Sequence, residues 1–145
     1  MQLKSFTDLS LRTLLYVGMQ GENLSTIGEI ADFFHISKEH LRKVVHRLSS
    51  LGYLHTTRGI YGGMQLAMAA DQIRLGKVVA LMEEDMSIID CEGRQCTLTG
   101  RCKLKGVLMQ AQQAFLQVLD QYTLADVLSD PLLQQQLRIE LHAVS

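Results

Sequence analysis

The three cysteines of this 145-residue chain are its most reactive side chains, and they lie close together. Cys91, Cys96 and Cys102 fall within twelve residues in the pattern C-x4-C-x5-C, and no other cysteine occurs. An odd number of clustered cysteines argues against a secreted disulfide framework. Zinc ribbons use four ligands in closely spaced pairs, whereas looser thiolate spacing suits the corners of an iron–sulfur cluster. We therefore predict that the triplet binds an iron–sulfur cluster.

Basic side chains surround the triplet. Nearby cations favour the thiolate form that ligates metal and offset the negative charge of a ligated cluster. The same setting also suits a thiol redox switch that forms a disulfide under oxidants and holds no metal. Iron and sulfide analysis after anaerobic purification separates these alternatives. The basic residues are Arg94, Arg101, Lys103 and Lys105.

The first half of the chain has the pattern of a helix-turn-helix. Apolar residues at helical spacing predict a first helix over residues 5–20 and a short second helix over 27–34, capped by Ser25 or Thr26. After a turn at residues 35–36, Ser37 is predicted to cap a basic amphipathic helix that ends at Gly52. Two short helices joined by a tight turn are typical of a reader of the DNA major groove.

The second of these helices carries the predicted DNA contacts. Residues 38–58 contain five basic residues and a single acid, an electrostatic footprint that suits phosphate contact. A glycine-rich hairpin over residues 53–68 follows and forms a wing, whose Arg58 suits the minor groove or the flanking phosphates. The predicted DNA-binding residues are Ser37, Lys38, His40, Lys43, Arg47, Arg58, Tyr61 and Gly62.

The second half of the chain is predicted to hold the cysteine loop between two helices. A helix over residues 71–85 leads into the loop at about 90–102, and a long helix at about 103–122 follows. A heptad seam on the long helix predicts packing against its own copy in a homodimer. Thr123 is predicted to cap a short helix, with a variable end beyond Pro131. The seam residues are Leu104, Leu108, Ala111, Phe115, Val118 and Tyr122.

The composition suits a compact protein: 47% of the residues are hydrophobic and only one is proline. The predicted fold is mainly α with a small β-hairpin wing, divided into a winged helix-turn-helix domain (1–69) and a cluster and dimerisation region (70–145). No apolar run reaches bilayer length and the start lacks the apolar stretch of a signal peptide, so we expect a cytoplasmic protein without membrane contact. The sequence shows neither a nucleophile paired with a base nor a phosphate-binding loop, so we do not expect an enzyme.

Four segments resemble the bacterial iron–sulfur winged-helix regulators, and the resemblance covers nearly the whole chain. They are the opening FTDLSLR, the wing RGIYGG, the cysteine triplet followed by KLK, and YTLADVL. Within that family the match is closest to the nitric-oxide-sensitive repressors. The resemblance implies a repressor of genes for nitric oxide detoxification that is active while its cluster, 4Fe–4S or 2Fe–2S, is intact and leaves the DNA when nitric oxide attacks the cluster. The homodimer predicted from the seam would bind double-stranded, palindromic operator DNA. The alternative within the family is a regulator of iron–sulfur or iron homeostasis that responds to cluster occupancy.

The resemblance also suggests a fourth cluster ligand. One branch of the family uses a histidine three residues after the last cysteine, but Lys105 stands at that position. Another branch uses an aspartate in the first helix of the partner subunit, and Asp8 stands at the matching position. Alternatively, Ser5 and Asp8 have the spacing of a capping box. The spare ligand candidates are Asp90, Glu92 and His142.

Overall fold

The chain folds into a set of helices and one β-hairpin, seen in a computed structural model that describes residues 2–144. The predicted fold class, mainly α with a small hairpin wing, is confirmed. No helix within residues 2–144 combines the length and apolar character needed to cross a membrane. The elements are α1 (Ser5–Gln20), α2 (Ile27–Phe34), α3 (Lys38–Ser50), β1 (Leu54–Thr57), β2 (Gly63–Leu66), a 3-10 turn (Ala70–Gln72), α4 (Leu75–Glu83), α5 (Lys103–Asp120), α6 (Leu124–Leu128) and α7 (Pro131–Val144).

Helices α1, α2 and α3 pack around one apolar core. Leu14 of α1, Ile30 of α2 and Leu48 of α3 are fully buried there. Burying a side chain of this size contributes about 1.5–3 kcal/mol, so the apolar stripe of each helix determines which face points inward. The opposite, basic face of α3 is consequently left in solvent.

The ends of α2 and α3 are set by different local signals. Thr26 and Glu29 form a capping box at the start of α2: the Thr26 hydroxyl accepts from the Glu29 N–H at 3.2 Å, and the Glu29 carboxylate accepts from the Thr26 N–H at 2.6 Å. His35 ends α2 in the left-handed region at φ 55°. Ser37 occupies the N-cap position of α3, but its side chain makes no capping hydrogen bond, so that part of the prediction is wrong.

The wing is a two-stranded antiparallel hairpin. Leu54 pairs with Leu66 at its base and Thr57 with Gly63 near its tip. Ser25, in the segment before α2, exchanges two backbone hydrogen bonds with Met64, at 2.9 and 2.7 Å. The hairpin is therefore attached to the segment that leads into the helix-turn-helix.

Helix α4 begins at Leu75, later than the predicted start at residue 71, because Ala70–Gln72 form a 3-10 turn and Ile73 and Arg74 are extended. The Leu75 N–H donates to the Tyr122 carbonyl at 3.0 Å, and the Leu124 N–H donates to the Ile73 carbonyl at 2.8 Å. Gly76 then faces α5 so closely that an added Cβ would lie 2.7 Å from the Leu116 carbonyl oxygen. Glycine thus permits near backbone contact between α4 and α5.

The C-terminal segment is more ordered than the sequence indicated. Thr123 caps α6 as predicted, in a capping box with Asp126 that lowers the pKa of the Asp126 carboxyl through hydrogen bonds from the Thr123 backbone and hydroxyl. Beyond this, the predicted variable end is wrong, since Pro131–Val144 form α7. Leu137 of α7 is 9% exposed, and the helix packs on α2 and α6.

Candidate DNA-binding surface and cysteine loop

The outer face of α3 presents the predicted major-groove residues to solvent. Ser37, Lys38, His40 and Lys43 are exposed, and Arg47 is half-buried. His40, Lys43 and Arg47 follow one another at intervals of three and four residues and therefore share one face of the helix. The single acid of this segment, Glu39, forms an ion pair with Arg42 at 3.2 Å. The structure thus keeps the basic face of α3 accessible.

The wing tip carries one exposed apolar residue that the sequence analysis missed. Ile60 is 96% exposed and Tyr61 is 93% exposed, beside the exposed Arg58. The sequence signal for Ile60 was a large apolar residue inside a glycine-rich turn, where few other side chains are available to cover it. Gly62 closes the tip by donating its N–H to the Gly59 carbonyl at 3.0 Å.

Substituting Gly62→Ala is expected to open the wing and weaken operator binding about tenfold or more, a loss of at least about 1.4 kcal/mol. The added Cβ would overlap the Thr57 carbonyl oxygen and lie 2.9 Å from the Arg58 carbonyl carbon, so backbone has to move. Fluorescence anisotropy with labelled operator DNA measures the change. Gly106→Ala, in open space on α5, is the matched control. Equal operator affinity in both variants would show that DNA binding does not depend on the wing backbone.

The three cysteines lie on the irregular loop between α4 and α5. Cys91 is buried, Cys96 is exposed, and Cys102 is partly buried at the N-cap of α5. The loop is closed locally, because the Cys96 N–H donates to the Cys91 carbonyl at 3.0 Å and the Thr99 hydroxyl donates to the Cys96 carbonyl at 2.7 Å. The predicted loop is thus a series of turns that starts after one helix and ends at the next.

The loop fits an iron–sulfur cluster because its donors are thiols and because basic residues surround them. It offers three free thiols, and thiolate sulfur is the ligand such clusters require. In the part of the chain that the structure describes, however, no three His, Cys, Asp or Glu side chains are arranged to hold a metal ion. Coordination would require the loop to bring its sulfurs together.

Two of the spare ligand candidates already have partners in the loop or in the first turn of α5. The Asp90 carboxylate accepts the Gly93 N–H at 2.7 Å. The Glu92 carboxylate lies 3.8 Å from the ammonium of Lys105, the residue at the family's histidine position. A third candidate, His142, instead lines a cleft together with Tyr16 of α1 and Phe33 of α2.

Asp8 is a half-exposed carboxylate on α1. It forms an ion pair with Arg12 at 2.9 Å, with 47% of its own side chain exposed. The capping-box interpretation is wrong, because Lys4 is the N-cap, Ser5 is the first helical residue, and no side chain of this segment caps the helix. Asp8 joins no group of three potential metal ligands among residues 2–144.

An apolar stripe on α5 is exposed, but its members differ from the predicted seam. Leu108 and Phe115 are half-buried against the rest of the chain, so they offer a partner less surface than the exposed members do. Tyr122, just beyond the end of α5, is 51% exposed. Two residues that the prediction omitted, Val107 and Ala114, are exposed in their place. The exposed residues follow at intervals of three and four and are Leu104, Val107, Ala111, Ala114 and Val118.

Comparison with known proteins agrees with this architecture. Residues 3–130 match the family model Rrf2, described as an iron-dependent transcriptional regulator. The chain is 45% identical over 134 residues to the HTH-type transcriptional regulator NsrR of Geobacillus kaustophilus, covering 90% of this chain and 91% of that protein. It is 44% identical over 131 residues to the NsrR of Shouchella clausii, covering 88% of each.

The fold is similar to that of a solved regulator. CymR, the global cysteine regulator of B. subtilis, superimposes with a TM-score of 0.74 at 24% identity, over 89% of this chain and 97% of that one. At this identity the match concerns the fold, a winged helix followed by a long helix. The family model covers most of the sequence, and both NsrR regulators are well above 30% identical to this chain. This chain therefore belongs to the Rrf2 family of DNA-binding transcriptional regulators.

Proposed function

We propose that this chain is a dimeric repressor that senses nitric oxide through an iron–sulfur cluster on the cysteine loop. The observation that carries the proposal is the position of that loop: all three cysteines lie on one connection between α4, which packs on the DNA-reading half, and α5, which exposes an apolar stripe. Nitric oxide as the signal is supported by the sequence resemblance and by the NsrR name of the relatives.

The two halves of the chain would have different functions. Residues 1–69 would read the operator, with residues 70–145 holding the cluster and the dimer contact. His40, Lys43 and Arg47 would enter the major groove, where side chains from the start of α3 reach base edges. Arg58 would contact the minor groove from the wing, with Tyr61 beside it and Gly62 keeping the tip narrow. Ser37 and Lys38 would contact the phosphates at the start of α3.

Cys91, Cys96 and Cys102 are the proposed thiolate ligands, with Asp8 of the partner subunit as the fourth. A bound cluster would supply iron that reacts with nitric oxide. The support for Asp8 is that its carboxylate is half-exposed and pairs with Arg12 on its own helix, which leaves it accessible to a second molecule. A carboxylate is a harder ligand than thiolate and binds iron less tightly. The ligand set would then join two subunits.

The homodimer would form through the exposed stripe of α5. Leu104, Val107 and Val118 are each more than half exposed, an apolar surface that a second copy would cover. A two-fold symmetric dimer suits a palindromic operator, because the two recognition helices are then related by the same symmetry as the half-sites.

A metal-free thiol switch is the second candidate, favoured by one observation. Cys96 is an exposed free thiol that an oxidant can reach. In that case the purified protein would contain no iron or sulfide, and its DNA binding would respond to oxidants that form disulfides.

The test of the proposed function is a gel mobility shift with anaerobically purified protein and its own upstream DNA. We expect bound iron and sulfide, a specific complex, and release of the DNA as nitric oxide is added. An unrelated DNA fragment of equal length is the control for specificity. Iron-loaded protein whose complex ignores nitric oxide would favour the homeostasis regulator, and iron-free protein would favour the thiol switch.

A further inference from the structure

Lys4 and Glu83 hold the start of α1 and the end of α4 together by a reciprocal pair of hydrogen bonds. The Lys4 backbone N–H donates to the Glu83 carboxylate at 2.7 Å. The Lys4 ammonium donates to the Glu83 backbone carbonyl at 2.6 Å. Each side chain thus binds the backbone of the other residue, across 79 positions of sequence. We call this pair the Lys4–Glu83 clasp.

The clasp supplies what each helix end lacks locally. No side chain of its own segment caps α1, and Glu83 takes the place that the N3 glutamate has in a capping box, by accepting the N-cap N–H. The Lys4 ammonium in turn binds a terminal carbonyl of α4, the end of a helix where a positive charge is favourable. Glu83 is 5% exposed, so this carboxylate is shielded from water and strongly dependent on its partner.

Directly after Glu83 the chain turns sharply into the cysteine loop. Glu84 has φ 58° and ψ −49°, and the Asp85 N–H donates to the Glu83 carbonyl at 2.5 Å, which makes a strained γ-turn. Ser87 then donates to the Asp85 carboxylate, and the hydrogen bonds from Ser87 lower the pKa of that carboxyl. Glu83 is therefore the last helical residue before the loop, and its carbonyl is shared between the clasp and the turn.

On its other side, the clasp leads to the recognition helix. The first turns of α1 border α3 across a cleft of about 260 Å³, lined by Ser5, Phe6, Leu9, His40 and Lys43. His40 and Lys43 are two of the proposed major-groove residues. Helix α1 packs against both α3 and α4. The Lys4–Glu83 clasp therefore joins the start of the cysteine loop to a helix that packs on α3.

We propose that Lys4 and Glu83 are positioning residues that couple the cysteine loop to the recognition helix within one subunit. The inference rests on the proposed function. When the loop rearranges, the γ-turn changes, the Glu83 carbonyl and carboxylate shift, and α1 moves against His40 and Lys43. Without the clasp, the loop can still bind its cluster, but the recognition helix no longer responds to the loop.

The test compares the operator affinity of cluster-loaded protein with that of the same protein after nitric oxide treatment. Wild type should lose affinity by roughly 5- to 150-fold, the usual size of allosteric coupling. Glu83→Leu and Lys4→Met should each reduce this ratio to within about twofold while the iron content and cluster absorbance stay unchanged. Glu83→Gln keeps a carbonyl acceptor for the Lys4 N–H and should retain most of the wild-type ratio. Glu22→Gln, at an exposed acid outside the clasp and the γ-turn, is the matched control.

Hydrogen exchange supplies a readout that does not depend on the cluster. In cluster-free protein, amides in the first turn of α1 should exchange faster in Glu83→Leu and Lys4→Met than in wild type. Lys4→Met covers the case in which Glu83→Leu fails to fold. A wild-type ratio retained in a clasp variant with faster exchange would overturn the coupling role alone. A wild type that ignores nitric oxide would overturn the proposed function and this inference with it.

Discussion

Replacing Cys96 with alanine is expected to abolish the cluster and the response to nitric oxide while leaving the fold intact. Cys96 is an exposed thiol on a loop, so its removal takes away no buried apolar contact, and the stability of the cluster-free protein should change by less than about 0.5 kcal/mol. The same change removes one of three thiolate ligands. Operator affinity should fall to that of the nitric-oxide-treated wild type, roughly 5- to 150-fold weaker.

Iron and sulfide content, visible absorbance and thermal melting together measure this outcome. Thr97→Ala, at the exposed neighbouring position, is the control for changing the loop without removing a thiol. Cys91→Ala is less informative, because Cys91 is buried and its loss would also cost packing. A Cys96→Ala protein with a full complement of iron and sulfide would remove Cys96 from the ligand set.

Replacing Ala111 with glutamate is expected to convert the dimer to a monomer. Ala111 lies in the middle of the exposed stripe on α5, where a two-fold contact would place the two copies of the new carboxylate near each other in an apolar interface. Like charges brought together at an interface cost several kcal/mol, which corresponds to about 100-fold or more in dimer affinity. Binding to an operator with two half-sites should weaken accordingly.

Sedimentation equilibrium and operator titration measure the two effects. The matched control is Gln113→Glu, which adds the same charge on the same helix but away from the stripe. We expect Gln113→Glu to remain dimeric. A dimeric Ala111→Glu protein would show that α5 is not the subunit contact, even if the operator is still bound by two copies.

The elements with strong local signals were predicted well. The capping residue of α6 and the inward stripe of α3 are both encoded within one or two helical turns, so the sequence was sufficient. The start of α4 was predicted too early because the chain before it is extended by pairing with residues 122–124, a contact that no local pattern reveals. Helix α7 was not predicted, although Leu133, Leu137 and Leu141 recur every four residues and proline is favoured at the first position of a helix, where Pro131 lies.

The candidate site was predictable to a similar degree. The cysteine triplet and the basic face of α3 follow from residue type and spacing. Which residues form the exposed stripe of α5 could not be predicted from the sequence. Two faces of that helix are apolar, and the packing of α4 and the cysteine loop decides which of them is covered. The Lys4–Glu83 clasp was beyond prediction, because it joins residues 79 positions apart through backbone as well as side-chain atoms.

That clasp also bears on the order in which the chain folds. Helices α2 and α6 carry both members of their capping boxes within four residues, so their ends can be stabilised as soon as each turn forms. Helix α1 receives its cap only after α4 has been synthesised and a long stretch of chain has closed into a loop, which costs conformational entropy. We therefore expect the start of α1 and the entry to the cysteine loop to become native together, after the local helix caps have formed.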